Sequence, residues 1–378
     1  MVNHKIESKI KTNFLEKFIR KVYKGASRTE RLLYIMKALS FLTLDEAKRH
    51  LEVLGDSRGL VLFASAAAVR QLSPLAPPRV LLCSTKGEYT PEGYRSGVVT
   101  GFEYDTSIAE ITEIVQPPVL SSARLKAAYL KVKDNANAFL LLLCDGTAGM
   151  EETILSSLFF VDPDFKVIGG SAADDENGEA YIFIGSRRVQ NLGVFFDMSV
   201  RTTLVKENIY VPTGNTLLVT EADVFARTVY SFNGRPASAE YARALGVPEG
   251  ELDRHFLSNP LGKRYADDLI ISSPMTVNPD QSVTFYSQIM SSTYVEVLNS
   301  ADPLAVLEET LETSPYKPSF VLNINCTLRD QLFTRDNLWA AFDEKMLSFC
   351  GNTTGFISYG EQYYKKHANQ TMILLLVE

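Results

Sequence analysis

Side chains able to hold a small molecule gather in four short segments. The first is Val167-Ile168-Gly169-Gly170-Ser171-Ala172-Ala173-Asp174-Asp175. Gly169 and Gly170 after an apolar strand allow a sharp turn, so that successive N–H groups can converge on an anion. Ser171 and Asp174 would each add one polar contact. That set suits the carboxylate and ammonium of an amino acid, and it equally suits a tight turn capped by an aspartate. The second segment, Ser84-Thr85-Lys86-Gly87-Glu88, follows an apolar run. Strand ends often open onto clefts, so Ser84, Thr85, Gly87 and Glu88 are candidate contacts, with a solvated loop as the alternative. Asp145-Gly146 is a shorter version and reads as a turn.

The third segment is Asn325-Cys326-Thr327-Leu328-Arg329. Arg329 can grip a carboxylate with two parallel hydrogen bonds, beside Asn325. The alternative is a buried arginine satisfying carbonyls between layers. Cys326 has no flanking histidine to lower its pKa. The fourth segment holds Glu361, His367 and Asn369 around the last two strands. A turn between Glu361 and His367 would let both face one cleft. His367 can act as ligand, base or donor, or can simply fix the terminal hairpin. His4, His50 and His255 sit in charged surroundings and are weaker candidates.

These segments need a scaffold of strands. Apolar runs at 59–64, 80–83 and 138–144 read as buried strands, and 180–184 with 188–198 as a strand pair. Helices are expected over 121–134, 149–160, 303–312 and 335–349. Pro236 and Gly246 bracket a further helix at 237–246. A hairpin is expected around Asn278-Pro279-Asp280. Strands outnumber helices and often follow one another directly. The fold class expected is therefore α+β, with two domains of mixed, largely antiparallel sheets and flanking helices. No internal repeat is evident in the sequence.

The first residues differ in texture. Ile6, Ile10, Phe14, Phe18 and Val22 form an apolar stripe at helical spacing. Residues 1–37 carry ten Lys or Arg against three acids, in a chain whose net charge is -7. The expectation is a basic helical extension over 1–54, with helices at 4–24, 29–41 and 44–54. Its docking partner is the body of the protein, another protein or a membrane surface.

Composition excludes several classes. The overall acidic balance gives no support to a nucleic-acid partner. No apolar run reaches the roughly 20 residues that span a bilayer. The four cysteines form no CxxC pair, which argues against structural zinc and for a reducing, cytoplasmic setting. There is no P-loop, dinucleotide fingerprint, GxSxG or HExxH, so no enzyme is expected.

Taken in order, several segments resemble the FIST family. They are LVLFAS (60–65), LLCSTKGEYTPEGY (81–94), LLLLCDG (140–146), VIGGSAADD (167–175), VYSFNGRPASAEYARALG (229–246), NINCTLRDQLF (323–333) and GFISYGEQYYKKHANQTMILLL (355–376). The resemblance covers about residues 55–378, with an N-terminal domain over 55–221 and a C-terminal domain over 222–378. It implies an intracellular sensory module for small ligands such as amino acids. Some similar proteins bind haem and sense nitric oxide, in which case His367 would supply the axial ligand and an apolar pocket must surround it. The absence of CxxCH argues against covalent attachment. The resemblance also implies a signalling partner: a histidine kinase, a cyclic-dinucleotide enzyme or a chemotaxis transducer.

Overall fold

The computed structural model describes residues 35–265 and 268–378. The helix expected at 4–24, and the start of the one expected at 29–41, lie outside those residues. Three stretches of chain fold alike. The first contains β1 (Met36–Phe41), α1 (Leu44–Glu52), β2 (Arg58–Ala64), α2 (Ala66–Leu72), β3 (Val80–Ser84), the hairpin β4 (Glu88–Thr90) and β5 (Gly93–Arg95), then β6 (Val99–Asp105). The second contains β7 (Ala109–Ile114), α3 (Ser122–Tyr129), β8 (Phe139–Asp145), α4 (Glu151–Phe159), β9 (Val167–Ala172), the hairpin β10 (Ile182–Ile184) and β11 (Arg187–Val189), then β12 (Asn191–Phe196).

The third begins with β13 (Thr202–Asn208) and is interrupted by an insert. The insert contains β14 (Tyr210–Asp223), β15 (Thr228–Phe232), β16 (Arg235–Pro236), α5 (Ala237–Leu245), β17 (Leu261–Tyr265), β18 (Asp268–Ser272), β19 (Pro274–Val277), β20 (Val283–Phe285) and β21 (Tyr294–Ser300). The unit resumes with α6 (Pro303–Glu312), β22 (Phe320–Cys326), α7 (Thr327–Arg335), α8 (Trp339–Phe349), β23 (Thr353–Ser358), the hairpin β24 (Glu361–Tyr363) and β25 (Lys366–Ala368), then β26 (Thr371–Val377).

Strand order repeats in the three units: β1-β6-β2-β3, β7-β12-β8-β9 and β13-β26-β22-β23. In each, the inner pair is parallel and joined through helix. Each hairpin leaves its own unit and completes the sheet of another. The β4–β5 hairpin pairs with β23, β10–β11 with β3, and β24–β25 with β9. Unit one gives to three, three to two and two to one, so the exchange closes into a ring with pseudo-threefold symmetry. The sequence hides this repeat because the units share strand order and apolar patterning rather than residue identity, and the insert breaks the spacing of the third.

Three six-stranded sheets therefore form a prism. Alternate residues of each central strand meet at its axis: Val61 and Phe63, Leu141 and Leu143, Leu322 and Ile324 share one core. Phe63 stacks on Phe356 with centroids 4.4 Å apart, and Phe102 meets Phe320 at 5.5 Å, so aromatic pairs join different sheets. The other faces carry helices, with Leu60 and Leu62 under α1 and α2, and Leu140 and Leu142 under α3 and α4. Burial on both faces explains why these strands read as unbroken apolar runs. The insert has a core of its own around Phe232, Tyr241 and Phe285.

The α+β class with mixed and largely antiparallel sheets is what forms. Two local expectations are corrected. Residues 36–41 are strand β1, not the end of a helix: Met36 and Ala38 are buried, Lys37 between them is exposed, and the strand pairs with β6. Gly169 and Gly170 lie inside β9 rather than in a turn. A Cβ on Gly169 would stand 2.3 Å from the Leu142 carbonyl oxygen, and one on Gly170 2.6 Å from the Phe356 ring. Close packing, not turning, requires them.

Gly355 is the tightest such contact, with a Cβ placed 1.6 Å from the Asn323 carbonyl oxygen. Gly355→Ala must push β22 and β23 apart. Overpacking costs about 1–3 kcal/mol or more, so its urea midpoint is expected well below wild type. An unchanged midpoint would refute the close approach.

Candidate functional site

The parallel strands of all three units end together, and their loops tie into one another through the backbone. Lys86 N donates to Ile357 O, Tyr359 N to Ser171 O and Ala173 N to Ser84 O. In return Ile357 N donates to Gly87 O, Ser171 N to Gly360 O and Ser84 N to Tyr181 O. Lys86, Ala173 and Tyr359 thus hold matching places around the pseudo-threefold axis. The ends of parallel strands are a common ligand position, because side chains there point outward without breaking the ladder.

A polar cluster crowns this ring. Lys86 Nζ lies 3.0 Å from Asp174 Oδ1, and the Tyr359 hydroxyl donates to the same carboxylate. Against desolvation, hydrogen bonding to Tyr359 and Asp174 holds Lys86 above the usual lysine range. Desolvation likewise pushes Asp174 up, but the bonds from Tyr359 and Lys86 win and its pKa falls.

The cluster borders a cavity of about 780 Å³ between the ring and the insert. On the insert side stands Arg227, whose Nη2 reaches Glu151 at 2.8 Å and Glu152 at 2.7 Å on α4. Ser171 Oγ donates to Glu151 Oε1 at 2.9 Å, which fixes that carboxylate from below. Thr327 and Leu328 at the start of α7 form another wall. Asn369 closes it: its Oδ1 accepts from Ser273 N at 3.3 Å, while its buried Nδ2 has no partner. Cations, carboxylates and a free amide donor therefore share one space, a set that can hold a molecule bearing both charges.

The residues expected from sequence divide by this geometry. Asp174 and Asn369 line the cavity. Ser84 lies beneath it, donating to Ala173 O and accepting from Tyr181 N. Thr85 donates to the buried Glu88 at 2.9 Å, and Gly87 packs against Tyr94 and Ile357. Gly169, Gly170 and Ser171 belong to β9, where only Ser171 touches a lining residue. Asn325 bonds Asn323 at 2.6 Å. Arg329 is fully buried and meets Glu207 at 2.5 Å, away from the cavity.

Glu361 and His367 do not face one cleft. Across the hairpin Glu361 opposes Ala368 and His367 opposes Gln362, so their side chains point to opposite faces. Glu361 is buried between Ser358 and Thr371. His367 borders a second cavity, but its Nε2 is buried and without a partner. A Cβ on Gly360 would lie 2.9 Å from that nitrogen. An axial bond to haem iron needs open space there, so the residues present do not fit haem. Among the described residues no cluster of His, Cys, Asp and Glu could hold a metal ion.

Four lining residues, Lys86, Glu151, Arg227 and Tyr359, carry no contact signal in the sequence. Lys86 and Tyr359 stood inside recognised segments. Glu151 opens a helix, and Arg227 lies in the insert, where nothing local announces it. All four cysteines are free and buried, and burial pushes the Cys326 thiol up, which makes it a poor nucleophile. No described helix is long and apolar enough to cross a membrane.

Comparison with known families finds the FIST N domain over residues 60–235 and the FIST C domain over residues 237–364. No curated protein matches the chain. The junction of the two matches falls inside the insert, at β16, so the third unit draws β13 from the first region and β22, β23 and β24 from the second, with β25 and β26 beyond the matched residues. With both regions matched over most of its length, the chain belongs to the FIST family of sensory domains.

Proposed function

We propose that this protein is an intracellular sensor of a small zwitterionic metabolite, of the amino-acid class, held in the cavity between the ring and the insert. The observation that carries this reading is the pairing of Lys86 with Asp174 and of Arg227 with Glu151 on walls of one cavity, beside the unpartnered Asn369 amide. A carboxylate would meet Lys86, Arg227 and Asn369, and an ammonium would meet Asp174 and Glu151. The role is binding, not turnover. The signal passes to a partner such as a histidine kinase, a cyclic-dinucleotide enzyme or a chemotaxis transducer, in a cytoplasmic setting. Because the ring and the insert both supply contacts, binding would favour one disposition of the insert, by no more than the ligand's differential affinity for the two states.

Thermal-shift screening of the twenty amino acids tests the reading. A ligand at a hundredfold excess over Kd adds about 2.7 kcal/mol to stability. A raised Tm with one amino acid, lost in Lys86→Met and Arg227→Met, is the expected result. If no amino acid moves Tm, the ligand class is wrong. Haem has no part in this reading, so hemin is expected to give no Soret band that depends on His367. A band that vanishes in His367→Ala would overturn that.

A further inference from the structure

The second cavity, about 540 Å³, lies beside the β24–β25 hairpin and is separate from the proposed metabolite site. Two lysines on its walls, Lys263 buried and Lys365 half-buried, have fewer partners than an ammonium can take. Lys263 on β17 is 8% exposed, and its ammonium has one acceptor, the Gln288 carbonyl at 2.6 Å. Lys365, in the hairpin turn, donates to the Phe165 carbonyl. An ammonium carries three donors, so each has capacity left over. For the buried Lys263, a cation without an ion-pair partner is costly. Burial holds both lysines well below the usual range, near 8.

The carboxylates around them are already engaged. Glu152 accepts from Arg227 at 2.7 Å and from Gln288 N at 2.8 Å. Asp268 is shared by Lys206 and Lys366, and Asp162 is held by the Tyr129 hydroxyl. Asp164 is exposed at the rim and His367 stands on the inner wall. Ser156, Gln288 and the Asp268-paired Lys366 add polar wall, the rest is apolar or aromatic, and two of its side chains, Phe159 and Met290, are large hydrophobics exposed to solvent. We propose that this cavity binds an organic anion, a carboxylate or phosphate on an aromatic or aliphatic body, with Lys263 and Lys365 contacting the charge and Phe159 and Met290 covering the body.

Calorimetric titration with benzoate and with phenyl phosphate tests this, the two arms separating a carboxylate from a phosphate. Binding of one of them at pH 7 is expected, tighter than inorganic phosphate. Affinity should fall on the order of tenfold or more by pH 9.5, because the lysines lose their charge. Desolvation pushes the nearby Glu152 and Asp162 up, but His367 and Arg227 hold the first, and the Tyr129 hydroxyl the second, below the usual carboxylate range, so neither gives such a loss. Lys263→Met and Lys365→Met should each weaken binding at least tenfold; if the buried Lys263 variant does not fold, Lys365→Met decides. Neither variant should disturb an amino-acid response at the other cavity, so the two readings fail independently. No heat with either probe at pH 7, equal affinity at pH 7 and 9.5, or an unaffected Lys365→Met would each overturn the proposal.

Discussion

Stability is expected to fall steeply between pH 5 and pH 8, with Glu361 as the main cause. Glu361 and Glu88 open the exchanged hairpins of two different units and are both buried. Desolvation pushes Glu361 up to about 8 and Glu88 up to about 7, against hydrogen bonds from Ser358 and Thr371 to the first and from Thr85 to the second. A carboxyl raised in the folded state binds its proton more tightly there than in the unfolded chain. It is harmless below pH 4.5, and its stabilisation is lost as pH rises through the folded value. At about 1.36 kcal/mol per unit, Glu361 alone forfeits on the order of 5 kcal/mol by pH 8.

Lys263 and Lys365 act with the opposite sign above that point. Their folded values are lowered to about 8, so stability rises with pH between 8 and their ordinary 10.5. The fall should therefore level off near pH 8, before the buried thiols, which desolvation holds above their usual value, add a loss of their own above about pH 9. Urea unfolding from pH 5 to pH 10 reads the curve directly. Glu361→Gln removes the titrating group and should flatten the fall. A wild-type curve that is level between pH 5 and 8 would show that Glu361 and Glu88 are solvated or paired differently.

The second large effect is expected at Arg329. Its guanidinium has no exposed surface, meets Glu207 at 2.5 Å and lies 4.3 Å from the centre of the Phe333 ring. Glu207 is buried too, and burial pushes it above the usual carboxylate range even against the pull of Arg329. Arg329→Met leaves that carboxylate alone in the core. Breaking a buried pair from one side costs about 3–5 kcal/mol. Replacing both partners by apolar residues removes the stranded charge, so Arg329→Met with Glu207→Leu should recover much of the loss. Denaturation of the two single variants and the double decides this. Additive losses would mean that the two side chains do not act as a pair.

Much of the scaffold was legible because local physics dictates it. The runs 59–64 and 138–144 are continuous and apolar because both faces of those strands are covered, and such runs announce themselves. Gly246 ends α5 with φ of 72°, as its residue type suggested. The strand at 36–41 reads as a helix end in sequence because six residues show too little periodicity to separate the two. At the site, Asp174 and Asn369 were legible as polar residues beside strands. Arg329 was not placed by its type, since a guanidinium that grips a ligand and one that grips Glu207 look the same in sequence.

By itself, then, the sequence determined the α+β class, the order of the main elements and membership of the FIST family. The tertiary structure alone decided which strands pair across the chain. Tyr89 lies opposite Gly355, and Glu361 opposite Gly170, so the hairpins complete sheets begun far away in sequence. Short-range periodicity cannot encode such contacts, because each depends on which distant edge is left open once three similar sheets close about one core. The same closure brings Arg227 of the insert to Glu151 and turns His367 away from Glu361.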